Sequence, residues 1–273
     1  MESYFENIDQ EKVETLRNQD PAVSFISQKQ ATPLSFSFLR QTFGRQNDTH
    51  GSLNRGRAIL PSPDHLNQYL YSHGLMIQSQ WNRVSSWLKF LDLNLNDYRI
   101  IDYGCGQGIA GLLLSEYFTP QIISESSSIF LIEPSDVALI RAEAIYRKIA
   151  PFCPIYCLQK NFLELSCDDF EQDKNLGTLH IFSNVVDIEG FDPIELLEKT
   201  LTFGRNILLV VSHDRDCEGG TERIIRLKSY FEDYDSRNIF NIYRSVLFRF
   251  QCDNPRRSDS IGWILDVDVE TEV

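Results

Sequence analysis

From Tyr98 onward, short apolar runs alternate with stretches of helical period. Arg99–Tyr103, Ile129–Glu133, Ile155–Leu158, Leu179–Ser183 and Ile207–Ser212 are strand length and nearly continuously apolar. That is the pattern of strands buried on both faces. Between the first two, Ile109, Leu112, Leu113 and Tyr117 share one helical face. After the second, Ser135–Ile149 turns Val137, Ile140, Ala144 and Ile145 inward. Asp192-Pro193-Ile194-Glu195 places a capping side chain before a proline at the first helical position, a helix start ahead of the fifth strand. Strand–helix alternation predicts right-handed crossovers and a doubly wound, mostly parallel α/β sheet covered on both faces. After a helix at Glu222–Phe231, Tyr243–Phe250 and Ile261–Val267 read as two further strands. The short Asp253-Asn254-Pro255 connection makes them antiparallel and brings the strand count to seven.

The chain before Tyr98 is helical and then irregular. Ser62-Pro63-Asp64 starts a helix with Leu66, Tyr69, Leu70 and His73 on one face, and Gly74 is expected to end it. A second helix carries Ile77, Trp81, Val84, Leu88 and Leu91. Residues 1–57 are expected to form a partly irregular arm, interrupted at Asp20-Pro21 and Thr32-Pro33. The domain proper is then 58–273, with a helical lead-in at 62–92 and a core at 98–273.

Charge separates the two parts. The 273 residues carry a net charge of −13, so the overall field repels phosphate and weakly favours a small-molecule or protein partner. Gln28–Arg57 is the exception, with Lys29, Arg40, Arg45, Arg55 and Arg57 set against Asp48 alone. RNA binding would have to use this arm. The longest clean apolar runs, such as Ile207–Val211, are far too short for a membrane span. Met1–Glu6 is acidic and does not read as a signal peptide. Cysteines 105, 153, 157, 167, 217 and 252 form no CxxC pair and read as reduced thiols of a cytoplasmic protein. His50, His65 and His73 have no companion ligands, so no metal site emerges.

The segment that carries chemistry is Asp102-Tyr103-Gly104-Cys105-Gly106-Gln107-Gly108, a glycine loop between a strand and a helix. Such a loop lets backbone approach a ligand at the crevice of an open α/β sheet. Gly106-x-Gly108-x-x-Gly111 also fits the dinucleotide fingerprint, with Glu133 near where a ribose-binding acid should fall. The strand boundary argues against that ligand. Asp102 stands at the strand's end, and a pyrophosphate there would meet a carboxylate. At an effective dielectric of about 20 the repulsion is roughly 4 kcal/mol per charge pair at contact. A cationic ligand has the opposite preference.

Acidic-x-Gly-x-Gly-x-Gly at the end of a first strand resembles motif I of the class I, Rossmann-like S-adenosylmethionine (SAM)-dependent methyltransferases. The resemblance covers about Tyr98–Val211. It implies SAM as cofactor, bound by Asp102, Gly104, Cys105 and Gly106, with Glu133 accepting hydrogen bonds from both ribose hydroxyls. The family usually places an acid against the adenine amino group after the third strand. Here Lys160-Asn161-Phe162 stands there, so Asn161 is expected to accept that hydrogen bond and Phe162 to cover the ring. The family's last strand inserts antiparallel into the sheet, which suits the terminal pair. After the fourth strand, Ser183-Asn184-Val185-Val186 replaces the Asn/Asp-Pro-Pro-Tyr box of the amino-methylating nucleic-acid enzymes. No Pro-Cys pair for cytosine-C5 chemistry stands nearby. Asn184, Asp187 and His213 are the expected catalytic residues around the methyl group, with His213 the best-placed general base. Tyr69, Tyr71 and Trp81 are candidates to close over the cofactor, and Arg55 and Arg57 to bind the acceptor. By the same reasoning, deleting residues 1–57 should spare SAM affinity. Two other readings stay open: a SAM-binding module without turnover, and an NAD(P)-dependent oxidoreductase.

Overall fold

The computed structural model describes residues 3–28, 34–56, 58–91, 98–170, 176–215, 219–235 and 240–270. The chain opens with β1 (Tyr4–Glu6), α1 (Gln10–Gln19), α2 (Pro21–Ile26), α3 (Phe36–Phe43), a 3-10 segment at His50–Gly56, and α4 (Pro63–Leu91). Then come β2 (Tyr98–Tyr103), α5 (Ile109–Tyr117), α6 (Gln121–Ser124), β3 (Ser128–Ile132), α7 (Asp136–Ile149) and β4 (Ile155–Leu158). The last part holds β5 (Gly177–Ser183), α8 (Pro193–Thr200), β6 (Gly204–His213), α9 (Gly220–Asp235), β7 (Phe240–Gln251) and β8 (Asp259–Val269).

These strands form one Rossmann-like sheet in the order β1-β4-β3-β2-β5-β6-β8-β7. All pairs from β1 to β6 are parallel, and β8 runs antiparallel between β6 and β7, the expected insertion. Among the described residues the sheet has eight strands rather than seven. The extra one, β1, pairs Tyr4, Phe5 and Glu6 with Tyr156, Cys157 and Leu158. Three residues are too few to show a period, and the strand forms by covering an edge that β4 would otherwise leave open. Strand order reverses between β2 and β5. Ligands of open α/β sheets bind at the strands' carboxyl ends beside such a switch point.

Alternation along β2 sorts its side chains. Ile100 packs with Ile129, Leu131 and Ile181 into the core beneath α4, α5 and α7, whereas Ile101 and Tyr103 join Leu197, Ile224 and Phe231 on the α8–α9 side. Asp102 shares the parity of Ile100 and therefore faces α7. The lead-in is one helix of 29 residues, not two. Gly74 does not end it: a Cβ there would stand 3.1 Å from Phe36 Cζ and 3.3 Å from Arg40 Cδ. The glycine lets α3 approach α4, which offsets its helix penalty of about 1 kcal/mol.

The described residues before position 57 pack onto this frame. Val13, Ala22, Val23, Ile26, Phe36 and Leu39 are buried in the main core. Asp20 accepts the Ala22 N–H at the start of α2 and holds Arg141 of α7 through both oxygens, at 2.7 and 2.9 Å. Arg141 also donates to Asn67 of α4 and to Gln107 of the glycine loop, each at 3.0 Å. Both members of the ion pair are 2 % exposed. Removing one partner of such a pair strands the other charge in the interior. Asp20→Ala is expected to cost about 3–5 kcal/mol in urea unfolding, and a loss below about 1 kcal/mol would show that water reaches Arg141.

Candidate functional site

The turn from β2 into α5 needs three left-handed residues, and glycine supplies them: φ is +57° at Gly104, +52° at Gly106 and +78° at Gly108. A Cβ on Gly104 would lie 2.7 Å from Val185 Cγ1, and one on Gly108 3.0 Å from Ala142 Cα of α7. One on Gly111 would overlap the Tyr146 ring. The last two glycines of the dinucleotide-like spacing thus answer to packing against α7. Gly106 differs, since a Cβ there would meet nothing within 4 Å. That space is a cavity of about 400 Å³, the size class of small-molecule sites.

The cavity is bounded by the glycine loop, Glu133 at the end of β3, Asn161–Leu163 after β4, Ser183–Val185 and Ile188–Phe191 at and beyond the end of β5, and Ala58–Leu60 with Tyr69 above. Leu60, Phe162, Leu163, Val185, Ile188 and Phe191 make it largely apolar. Among the described residues that line it, the charged ones are Glu133 and Glu189, and none is Lys or Arg. Glu133 Oε2 accepts the Gly106 N–H at 3.1 Å and Oε1 the Ser135 N–H at 2.9 Å. Each oxygen keeps a lone pair for a ligand hydroxyl. Burial pushes this carboxyl up to about 7, against the pull of the two N–H donors.

Asp102 and Cys105 lie off the cavity wall. Strand parity turns Asp102 under the loop, fully buried, where Tyr146 donates to its Oδ2 at 2.7 Å. Its Oδ1 is buried with no hydrogen-bond partner. Burial is the largest cause of its rise to about 7; the Tyr146 hydrogen bond opposes it and the charge of Glu133 adds to it. Cys105 is buried, its N–H donates to Ile132 O at 3.0 Å, and burial pushes its thiol up. Asn161 and Phe162 both line the cavity. Asn161 Oδ1 already accepts the Leu163 N–H at 3.0 Å, capping a 3-10 turn, which leaves one lone pair for a ligand. Phe162 packs at a tilt of 58° against Phe191, with ring centroids 4.5 Å apart.

The three expected catalytic residues do not share one cavity wall. Asn184, at a left-handed φ of +55°, is on the wall, and its amide pairs reciprocally with Gln80 of α4 at 2.8 and 3.1 Å. The chain then turns inward, so Asp187 is buried off the wall near Gly220, the first residue of α9. β6 runs beyond the end of β5, pairing His213 with Ser260 of β8, and His213 lines a second cavity. Of the aromatic candidates, Tyr69 is on the wall, and burial followed by the charges of Asp187 and Glu133 raises its phenol. Trp81 is fully buried and donates to Ser183 Oγ at 3.0 Å; Tyr71 lines a further cavity with Arg40. Arg57 and the Arg55 side chain lie outside the described residues. The sequence reading missed Val185, Ile188, Glu189 and Phe191. Their spacing of three apolar positions beside Gly190 is a weak signal, since the segment is a loop.

No protein-family profile matches the sequence, and no curated protein is similar to it. Solved structures do resemble it. Magnesium protoporphyrin IX methyltransferase from Synechocystis with bound SAM has 16% identity over 89% of this chain and all of its own, at a TM-score of 0.44. A SAM-dependent methyltransferase from Aquifex aeolicus has 13% identity over 71% of this chain and 96% of its own, at 0.43. TYW2 from M. jannaschii in complex with AdoMet has 16% identity over 70% and 77%, also at 0.43.

Proposed function

We propose that the chain binds SAM in the apolar cavity at the switch point and transfers its methyl group to an acceptor held beside it. One observation carries this reading: the described charged residues of the wall are carboxylates, and beneath them lies the buried Asp102 oxygen without a partner. That setting suits an ammonium and a sulfonium and repels a pyrophosphate. Glu133 would hold the ribose hydroxyls. Phe162 and Leu60 would enclose the adenine, with Asn161 at its amino group. Tyr69 would turn its ring toward the sulfonium. A bound SAM would supply an electrophilic methyl for in-line displacement: an acceptor lone pair would bond to the methyl carbon as the C–S electrons returned to sulfur to leave S-adenosylhomocysteine, and any acceptor proton would pass to water. The described wall holds no histidine or lysine, so the chain's contribution would be positioning, worth several kcal/mol when reacting atoms are held in contact.

SAM, but not NAD or NADP, is expected to raise the melting temperature, by the equivalent of about 2.7 kcal/mol at 100 times Kd. The effect should depend on pH. Asp102 and Glu133 titrate near 7 when folded but near 4 when unfolded. Between about pH 4 and 7 the folded chain therefore binds more protons than the unfolded one, and the free protein loses stability as pH rises. A cation favours the ionised pair, so the shift produced by SAM should be larger at pH 8 than at pH 6. A shift with NAD and none with SAM would replace this reading by a dehydrogenase.

A further inference from the structure

The second cavity, about 710 Å³, lies between α4, the 3-10 segment at His50–Gly56, the end of β6 and the β7–β8 turn. His50, His73, His213, Arg215 and Arg256 line it, and no carboxylate is among its described lining residues. It continues into a space of about 370 Å³ that shares His50 and Arg256 and adds Arg40, again with no described carboxylate. In a chain of net charge −13 this is a local reversal of sign. The field inside registers on His73. Burial first, then His213, His50, Arg256 and Arg215, hold its imidazole down at about 4.

The two cavities are neighbours. Tyr69 and His73 stand one turn apart on α4 with ring centroids 5.0 Å apart; Tyr69 faces the first cavity and His73 the second. On the sheet side, the Asn184 N–H donates to Val211 O at 2.8 Å, and His213 is two residues further along the same strand. A molecule in the second cavity is separated from the first by this single layer of side chains.

We propose that the second cavity is a separate anion site that takes a small phosphorylated molecule, anchored by its phosphate at Arg215 and Arg256. Arginine forks match phosphate oxygens in pairs, and imidazole N–H groups supply further donors. The bounded volume and the acidic remainder of the chain favour a small anion over a nucleic acid, whose phosphates would run out along a repelling surface. Charge is divided between the two cavities: carboxylates line the first, arginines and histidines the second.

The test is calorimetric titration of the full chain with inorganic pyrophosphate, and separately with SAM. Pyrophosphate should bind, and Arg256→Gln, a change in an exposed turn, should weaken it at least tenfold while SAM affinity stays within twofold. His50→Gln should weaken pyrophosphate in the same direction, with far-UV circular dichroism reporting an unchanged fold in both variants. No pyrophosphate binding, or equal binding by Arg256→Gln, would overturn the site. A single-stranded oligoribonucleotide that binds more tightly than pyrophosphate and is lost with Arg256→Gln would overturn the small-molecule assignment. If SAM fails to bind while pyrophosphate binds through Arg256, the cofactor reading falls and the anion cavity stands.

Discussion

A chain lacking residues 1–56 is expected not to fold, and its affinity for SAM to vanish with the fold. The segment looks dispensable from its composition, but the structure builds it into the interior. Val13, Val23, Ile26, Phe36 and Leu39 are each at most 3 % exposed in the main core, and Leu53 lies against Leu60, Leu66 and Val137. Burying one such side chain contributes roughly 1.5–3 kcal/mol, and a domain's net stability is only about 5–15 kcal/mol. Deletion would expose the partners of all six. It would also leave Arg141 buried without Asp20, and open the β4 edge that β1 covers. This packing argues against the expectation that loss of 1–57 would spare the cofactor. Size-exclusion chromatography with far-UV circular dichroism is the measurement. A monomeric, fully helical truncated protein that still binds SAM would show that the segment is an accessory after all.

The sequence was most informative where a period runs long enough to be read. Strands β2 to β6 and the β7–β8 pair fall within three residues of their expected ends; all of them but β7 are nearly continuously buried. The glycine loop and Glu133 were legible for a related reason: chemistry at the end of a periodic element can be placed by counting. The rest of the site comes from loops, which carry no period. Val185–Phe191 closes the cavity, yet nothing in its composition says which way it folds. His213 shows a different limit. Counting placed it at the ligand edge, but how far β6 outruns β5 is set by β8 pairing along its other side, which a single strand's sequence does not reveal. Asp102 shows a third. Its position beside the loop was readable, but its direction follows from strand parity and from Tyr146 on a helix more than forty residues away.

Gly106→Val is expected to abolish SAM binding in a protein that remains folded. At φ +52° a β-branched residue sits in the left-handed region, at a cost of about 1–2 kcal/mol, which lowers stability without preventing folding. The larger effect is on the ligand. A Cβ at this position meets nothing of the protein within 4 Å, so the added methyl groups enter the cavity itself. Any shift of the loop that relieves the strain also moves the Gly106 N–H, which holds Glu133 Oε2 at 3.1 Å, and so displaces the carboxylate proposed for the ribose. Overlap and misplacement act together, and a loss of at least about 100-fold in affinity, about 2.8 kcal/mol at 1.4 kcal/mol per decade, is the expected outcome. Strain alone is controlled by Gly219→Ala. That glycine also has a left-handed φ, +81°, and also has room for a Cβ, but it stands before α9 and off the cavity wall. Both variants should melt lower than the parent chain, and only Gly106→Val should lose SAM in calorimetric titration. If Gly106→Val binds SAM as the parent does, the cofactor does not pass over the glycine loop, and the cavity must serve another ligand.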